Sequence, residues 1–134
     1  MSHWTVWFIR MSLIYFFLAT LLGLLMLLWP GQGWIYLPSH THLNLLGWMC
    51  MMIYGVGYHI LPRFSGKPIF SETLIVVQFW LANLGLVGMS VFWGLYRLNA
   101  AGLFQGMLLM SAIAETLAIF LFVYNILRTV KPAG

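Results

Sequence analysis

Pro38-Ser39-His40-Thr41-His42-Leu43-Asn44-Leu45-Leu46-Gly47-Trp48 decides how the chain is read. Two histidines stand two residues apart where a turn-rich loop becomes a long apolar run. On an α-helix, residues two apart leave about 200° apart around the axis. One helix therefore cannot close both imidazoles on a single metal ion, but it can offer one axial ligand to each of two flat cofactors. Pro38 suits the first turn of a helix, where its missing N–H is no loss, and Ser39 is an N-cap candidate. Both histidines are then expected in the first turn or two, at shallow membrane depth.

Outward from this stretch the chain is a membrane sequence. Hydrophobic residues make up 63% and charged ones 6% of the 134 positions. Four apolar runs, Met11–Trp29, His42–Leu61, Thr73–Tyr96 and Ala100–Leu127, match the ~20 residues needed to cross a hydrocarbon core. The expected fold is all-α: a single domain over 1–134, an arc or bundle of four transmembrane helices at about 11–29, 40–62, 72–96 and 100–127. The first run is too long for a signal's apolar region, and Trp29-Pro30-Gly31-Gln32-Gly33 has no small-residue cleavage pattern. The net charge of +4 sits at helix ends and forms no stripe, which argues against nucleic acid. Cys50 is alone, so no intramolecular disulfide forms.

Arg10, Arg63, Lys67, Arg128 and Lys131 fall on one side of the membrane and Arg97 on the other. The positive-inside bias puts both termini in the cytoplasm and His40 and His42 near the outer face of an inner membrane. Trp4, Trp7 and Trp29 read as interfacial anchors, helix 1 as packing and insertion, and His3 as solvated and without a role. The loop aromatics Trp34 and Tyr36 read as an interfacial belt or as a lid over an apolar cofactor edge.

Helix 2 carries the chemistry. Gly47, Gly55 and Gly57 let a helix or a flat ring approach closely. Met49, Met51 and Met52 are soft enough to ligate copper or iron, but equally fill a core or face lipid. His59 lies 17 residues after His42, ~25 Å along the axis and about 100° around it. It serves either a second cofactor near the cytoplasmic side or, hydrogen-bonded near Arg63, only the interface. Ser71 is an N-cap with Glu72 in the first turn, where the helix dipole favours an anion. Asn83 and Glu115 fall mid-run. An ionisable group there should face the protein interior with a partner. Glu115 is a proton relay, a redox-linked charge, or a neutral group bonded to Asn83 or another interhelical amide.

From His40 to Tyr96, 57 of the 134 residues, the chain resembles the catalytic subunit of haem–copper oxidases and nitric oxide reductases. The resemblance rests on His42 through Leu61, the turn Leu61-Pro62-Arg63-Phe64-Ser65-Gly66-Lys67-Pro68, Ser71-Glu72, and Gln78-Phe79-Trp80-Leu81. It implies that His42 is a haem-iron ligand. It also implies one four-helix unit of a fold built from three such arcs, in which a His-x-His elsewhere serves two haems, as His40-Thr41-His42 would here. The family's copper-site histidines are missing, so oxygen reduction by this chain alone is not expected. Any enzymatic activity would be that of a haem-dependent oxidoreductase.

The expected assembly is a homo-oligomer, a trimer in preference to a dimer, with haem b between subunits. Each iron takes His40 from one chain and His42 from the next. Arg97 and Trp34 are the expected propionate partners, Gly47 a place for the ring, and a quinol or a cytochrome the electron donor. Two other readings stay open: a haem protein that senses or scavenges nitric oxide or oxygen, and a cofactor-free accessory subunit of a respiratory oxidase.

Overall fold

The computed structural model describes residues 1–130, so Lys131 of the basic C-terminal end lies outside the described residues. Four helices are long and apolar enough to span a membrane: α1 His3–Leu28, α2 Gly33–Phe64, α3 Glu72–Leu98 and α4 Gly102–Thr129. Apart from short turns and caps, the described chain is helical, as expected for a backbone that finds no water in a bilayer.

α1 begins eight residues before the expected Met11, because Ser2 caps it and accepts from the Thr5 amide at 3.2 Å. α3 starts as expected: Ser71 accepts from Leu74 N–H at 3.3 Å, with Glu72 in the first turn. α2 departs more. Its helix begins at Gly33 rather than near His40, Pro38 lies inside it, and Ser39 is no cap. Ser39 instead donates through Oγ to the Ser90 carbonyl at 2.7 Å. Packing outweighs the local proline signal. Ile35 is buried, Tyr36 lies on Gly94, and Gly33 faces the Met26 backbone. His40 and His42 thus sit in the third turn, ~10 and ~14 Å from the first residue of α2, and not in its opening turn.

A second departure follows at once: Leu43–Cys50 is π-helical between the α-helical stretches Gly33–His42 and Met51–Phe64. A π segment shifts the phase of everything beyond it. The 100° separation expected between His59 and the first histidines assumed an unbroken α period, and it does not hold.

The helices form two hairpins. α1 lies along α2 and α4 along α3, and the early turns of α2 run beside the last turns of α3. One aromatic from each helix meets at the centre. Phe8 packs on Tyr54 at 5.7 Å and on Phe79 at 5.1 Å, and Phe122 on Tyr54 at 4.6 Å. The two Phe8 contacts are edge-on and that of Phe122 is tilted; edge-on pairs stabilise by about 0.5–1.5 kcal/mol each beyond burial. At the basic end, Asn125 accepts from the Ser71 amide at 3.1 Å and donates to its carbonyl at 2.8 Å. Thr129 accepts from Phe70 N–H at 3.0 Å, so α4 pins the loop before α3.

Gly85 sets the α3–α4 distance. A Cβ there would stand 2.7 Å from the Glu115 amide nitrogen and 2.9 Å from the Ser111 carbonyl oxygen, both backbone. Gly85→Val should therefore destabilise the fold by about 1–3 kcal/mol through overpacking. Gly106→Ala, with nothing within 4 Å, should be neutral or slightly stabilising. Unfolding of both variants in detergent, followed by circular dichroism, checks the contrast.

Candidate functional site

His40 points at α1. Its Nδ1 lies 2.9 Å from the Ala19 carbonyl oxygen. A carbonyl only accepts, so in the neutral ring Nδ1 carries the hydrogen and Nε2 presents its lone pair. Room for the ring comes from Gly23, where a Cβ would stand 2.9 Å from the His40 Cε1. Asn44 donates to the His40 carbonyl at 3.0 Å and, over a longer 3.4 Å, to the Nε2 lone pair.

His42 solves the same problem within its own helix. Its Nδ1 donates to the Pro38 carbonyl at 2.6 Å. That carbonyl is turned to a side chain four residues on, and Nε2 is again the bare nitrogen. The two imidazoles are therefore in the same tautomer and project from opposite sides of α2, with rings that do not meet. Ring N–H to carbonyl bonds of this kind orient metal-ligating histidines and raise their basicity.

The other candidates separate. Arg97 and Trp34 come together: the guanidinium stands 5.4 Å from the Trp34 ring centre and 5.6 Å from that of Trp93. Trp34 lies eight residues, ~12 Å along α2, before His42. The chain's two carboxylates, Glu72 and Glu115, lie at the far end of α3 and in the body of α4, so Arg97 keeps its charge unpaired among the described residues.

Gly47 does not serve a ring. A Cβ there would fall 2.6 Å from Tyr15 Cβ and 3.0 Å from a Leu86 methyl, so its open side is filled by α1 and α3. His59 lies beside Arg63, which donates to its Nε2 at 2.7 Å. Asn83 and Glu115 are not partners. The Asn83 oxygen accepts from Tyr15 O–H at 2.6 Å, and its nitrogen donates to the Phe79 carbonyl at 2.7 Å. Glu115 is 3% exposed, and neither carboxyl oxygen has a hydrogen-bond partner.

Sequence reasoning missed Ala19 and Gly23. They lie one turn apart on α1 and form the seat of His40. The signal was present, but a helix with no polar side chain opposite the histidines was read as packing only.

No protein-family model matches the chain. Curated proteins do match parts of it. The chain is 40% identical to the Cbb3-type cytochrome c oxidase subunit CcoN1 of Stutzerimonas stutzeri over 50 residues, 37% of this chain and 10% of that protein. It is 31% identical to cytochrome c oxidase subunit 1 of Rhodobacter capsulatus over 91 residues, 60% of this chain and 16% of that protein. A cytochrome c oxidase subunit 1 homolog of Agrobacterium tumefaciens is 38% identical over 50 residues, 37% of this chain and 9% of that protein. Part of the chain is related to haem–copper oxidase first subunits. It spans between 9% and 16% of the length of these relatives.

The tautomers are open to measurement without any cofactor. Nitrogen-15 spectra of histidine-labelled protein should show Nδ1 protonated and Nε2 bare for both His40 and His42. Gly23→Val, which removes the room for the ring, should alter the His40 signals and leave those of His42 unchanged.

Proposed function

We propose that this four-helix membrane protein binds b-type haem through His40 and His42 and carries electrons. One observation carries the reading: two imidazoles on one helix, each with Nδ1 tied to a carbonyl, His42 Nε2 free and His40 Nε2 met only by the long Asn44 contact. The residues fit the cofactor. Histidine Nε2 is the atom an axial bond to haem iron requires, and the long Asn44 contact is one such a bond would replace. Bound haem would supply one-electron chemistry at its iron. The chain's own part is to fix the imidazoles, exclude water and offer Arg97 beside Trp34 to an anionic propionate edge.

Because the two rings diverge, one chain cannot give both axial ligands to one iron. The reading therefore entails a homo-oligomer, and a trimer follows the threefold design of the family that the sequence resembles. Much of the apolar surface of all four helices is free to face lipid or another copy. The remaining features of the reading are an inner-membrane location, both termini in the cytoplasm and both histidines toward the outer side. Haem held by His40 and His42 would have no open position, which would favour electron transfer over ligand activation. The partial similarity to cytochrome oxidase first subunits supports a haem-related respiratory role.

The decisive measurement is an optical spectrum of detergent-purified protein, oxidised and dithionite-reduced, with its subunit number from light scattering. A sharp low-spin reduced spectrum in a trimer, lost in both His40→Ala and His42→Ala, is the expected result. Colourless wild-type protein overturns the reading, as does a spectrum that survives either substitution unchanged.

A further inference from the structure

The basic end of the bundle carries a cavity in which His40 and His42 take no part. Its volume is about 230 Å³, below the ~300–1,000 Å³ of drug-sized sites, so it has room for a small group only. Its walls are Trp4 of α1, Tyr58, His59 and Arg63 of α2, and Glu72 and Ile75 of α3. Arg63 stands in the last turn of α2 and Glu72 in the first turn of α3, so the cavity lies where spanning helices meet the headgroup layer. Both charged residues are exposed. Arg63 donates to His59 Nε2 at 2.7 Å rather than to Glu72. Cation and carboxylate thus share one cavity without forming an ion pair among the described residues.

A groove of about 490 Å³ adjoins it, with Trp4 lining both, and runs between α1 and α3 past Trp7 and Trp80. Glu72, Ile75, Phe79, Asn83 and Val87 line the cavity and then the groove, at three- and four-residue steps along one face of α3. From first to last they span ~22 Å. That is the depth of one leaflet with its headgroups, half of the ~40–45 Å of a whole bilayer. The polar side chains of the groove answer one another. His3 accepts from Trp7 at 2.8 Å, and Asn83 accepts from Tyr15 at 2.6 Å while donating to the Phe79 carbonyl at 2.7 Å. What is left for an occupant is apolar.

A cavity of mixed charge at headgroup depth, continued by an apolar groove one leaflet long, matches a zwitterionic phospholipid. We propose that the two together bind one molecule of phosphatidylethanolamine. Its phosphate meets Arg63 and its primary ammonium meets Glu72, each in charge-assisted hydrogen bonds. One acyl chain lies in the groove beside exposed Leu84 and Val87. Other phospholipids answer only part of this site. The quaternary ammonium of choline has no N–H for the carboxylate, and an anionic headgroup brings no cation to it. The site stands apart from His40 and His42 and does not rest on the haem reading.

The test is native mass spectrometry of the whole protein in detergent, titrated with phosphatidylethanolamine, phosphatidylcholine and phosphatidylglycerol of identical acyl chains. One phosphatidylethanolamine retained per chain, about tenfold tighter than the choline lipid, is the expected result, the difference being one charge-assisted hydrogen bond. Glu72→Gln should remove most of that preference and leave choline-lipid binding unchanged. Arg63→Gln should weaken all three lipids alike. Soluble glycerophosphoethanolamine, the headgroup without its chains, should fail to displace the lipid at matched concentration. Equal binding of the ethanolamine and choline lipids by the wild-type protein overturns the proposal without recourse to any variant. So does tightest binding of phosphatidylglycerol, a preference left intact by Glu72→Gln, or displacement by the soluble headgroup.

Discussion

A polar group inside a bilayer has no water to turn to, and every buried donor or acceptor must find its partner in the chain. Most side chains here do so locally. Thr20, Thr41, Ser111 and Thr116 each donate to the carbonyl four residues back on their own helix. Others tie helices together: Tyr15 to Asn83, Tyr58 to Gln78, Ser39 to Ser90, and Asn125 to Ser71. Against that background the unanswered groups stand out. Among the described residues they are Ser12 Oγ, Gln78 Nε2, Ser90 Oγ, Trp93 Nε1 and both carboxyl oxygens of Glu115. In a medium that penalises unmet polarity by several kcal/mol, such groups are where a ligand or a proton is expected.

Much of the fold was legible because it depends on patterns that a membrane makes simple. Four apolar runs of sufficient length gave four helices, and Ser71 before Glu72 gave the start of α3. The start of α2 was not legible, because Pro38 and Ser39 carry the local signature of a helix beginning. What overrides it lies far away in sequence: Gly94 under Tyr36, and the Ser90 carbonyl accepting from Ser39. The π segment Leu43–Cys50 was illegible for a related reason. Its hydrophobic pattern fits an α period, and only packing, with Gly47 pressed on Tyr15 and Leu86, distinguishes the two.

The site divides along the same line. That His40 and His42 leave α2 on opposite sides follows from spacing alone. Which nitrogen each offers does not, because the tautomer is set by carbonyls, one of them on another helix. Arg97 stands over the Trp34 ring, a contact that their places in the sequence do not announce. Gly47 was misplaced, because a glycine in a membrane helix signals a close approach without saying to what. Here it approaches Tyr15, while Gly23, on the helix read as plain packing, makes room for the imidazole.

Glu115 is the residue for which spacing and structure pull apart most. The sequence left it a proton relay, a redox-linked charge, or a neutral group bonded to Asn83 or another interhelical amide, but Asn83 is engaged by Tyr15 and Phe79. The backbone of Glu115 lies against Gly85, so its helix is fixed in place while its carboxyl is left unanswered. Removing a charge from water costs several kcal/mol unless a partner offsets it, and the arrangement offers no cation among the described residues. A neutral carboxyl meets the constraint best. Held through its backbone against Gly85, that carboxyl sits inside the dry interior on which the four helices depend.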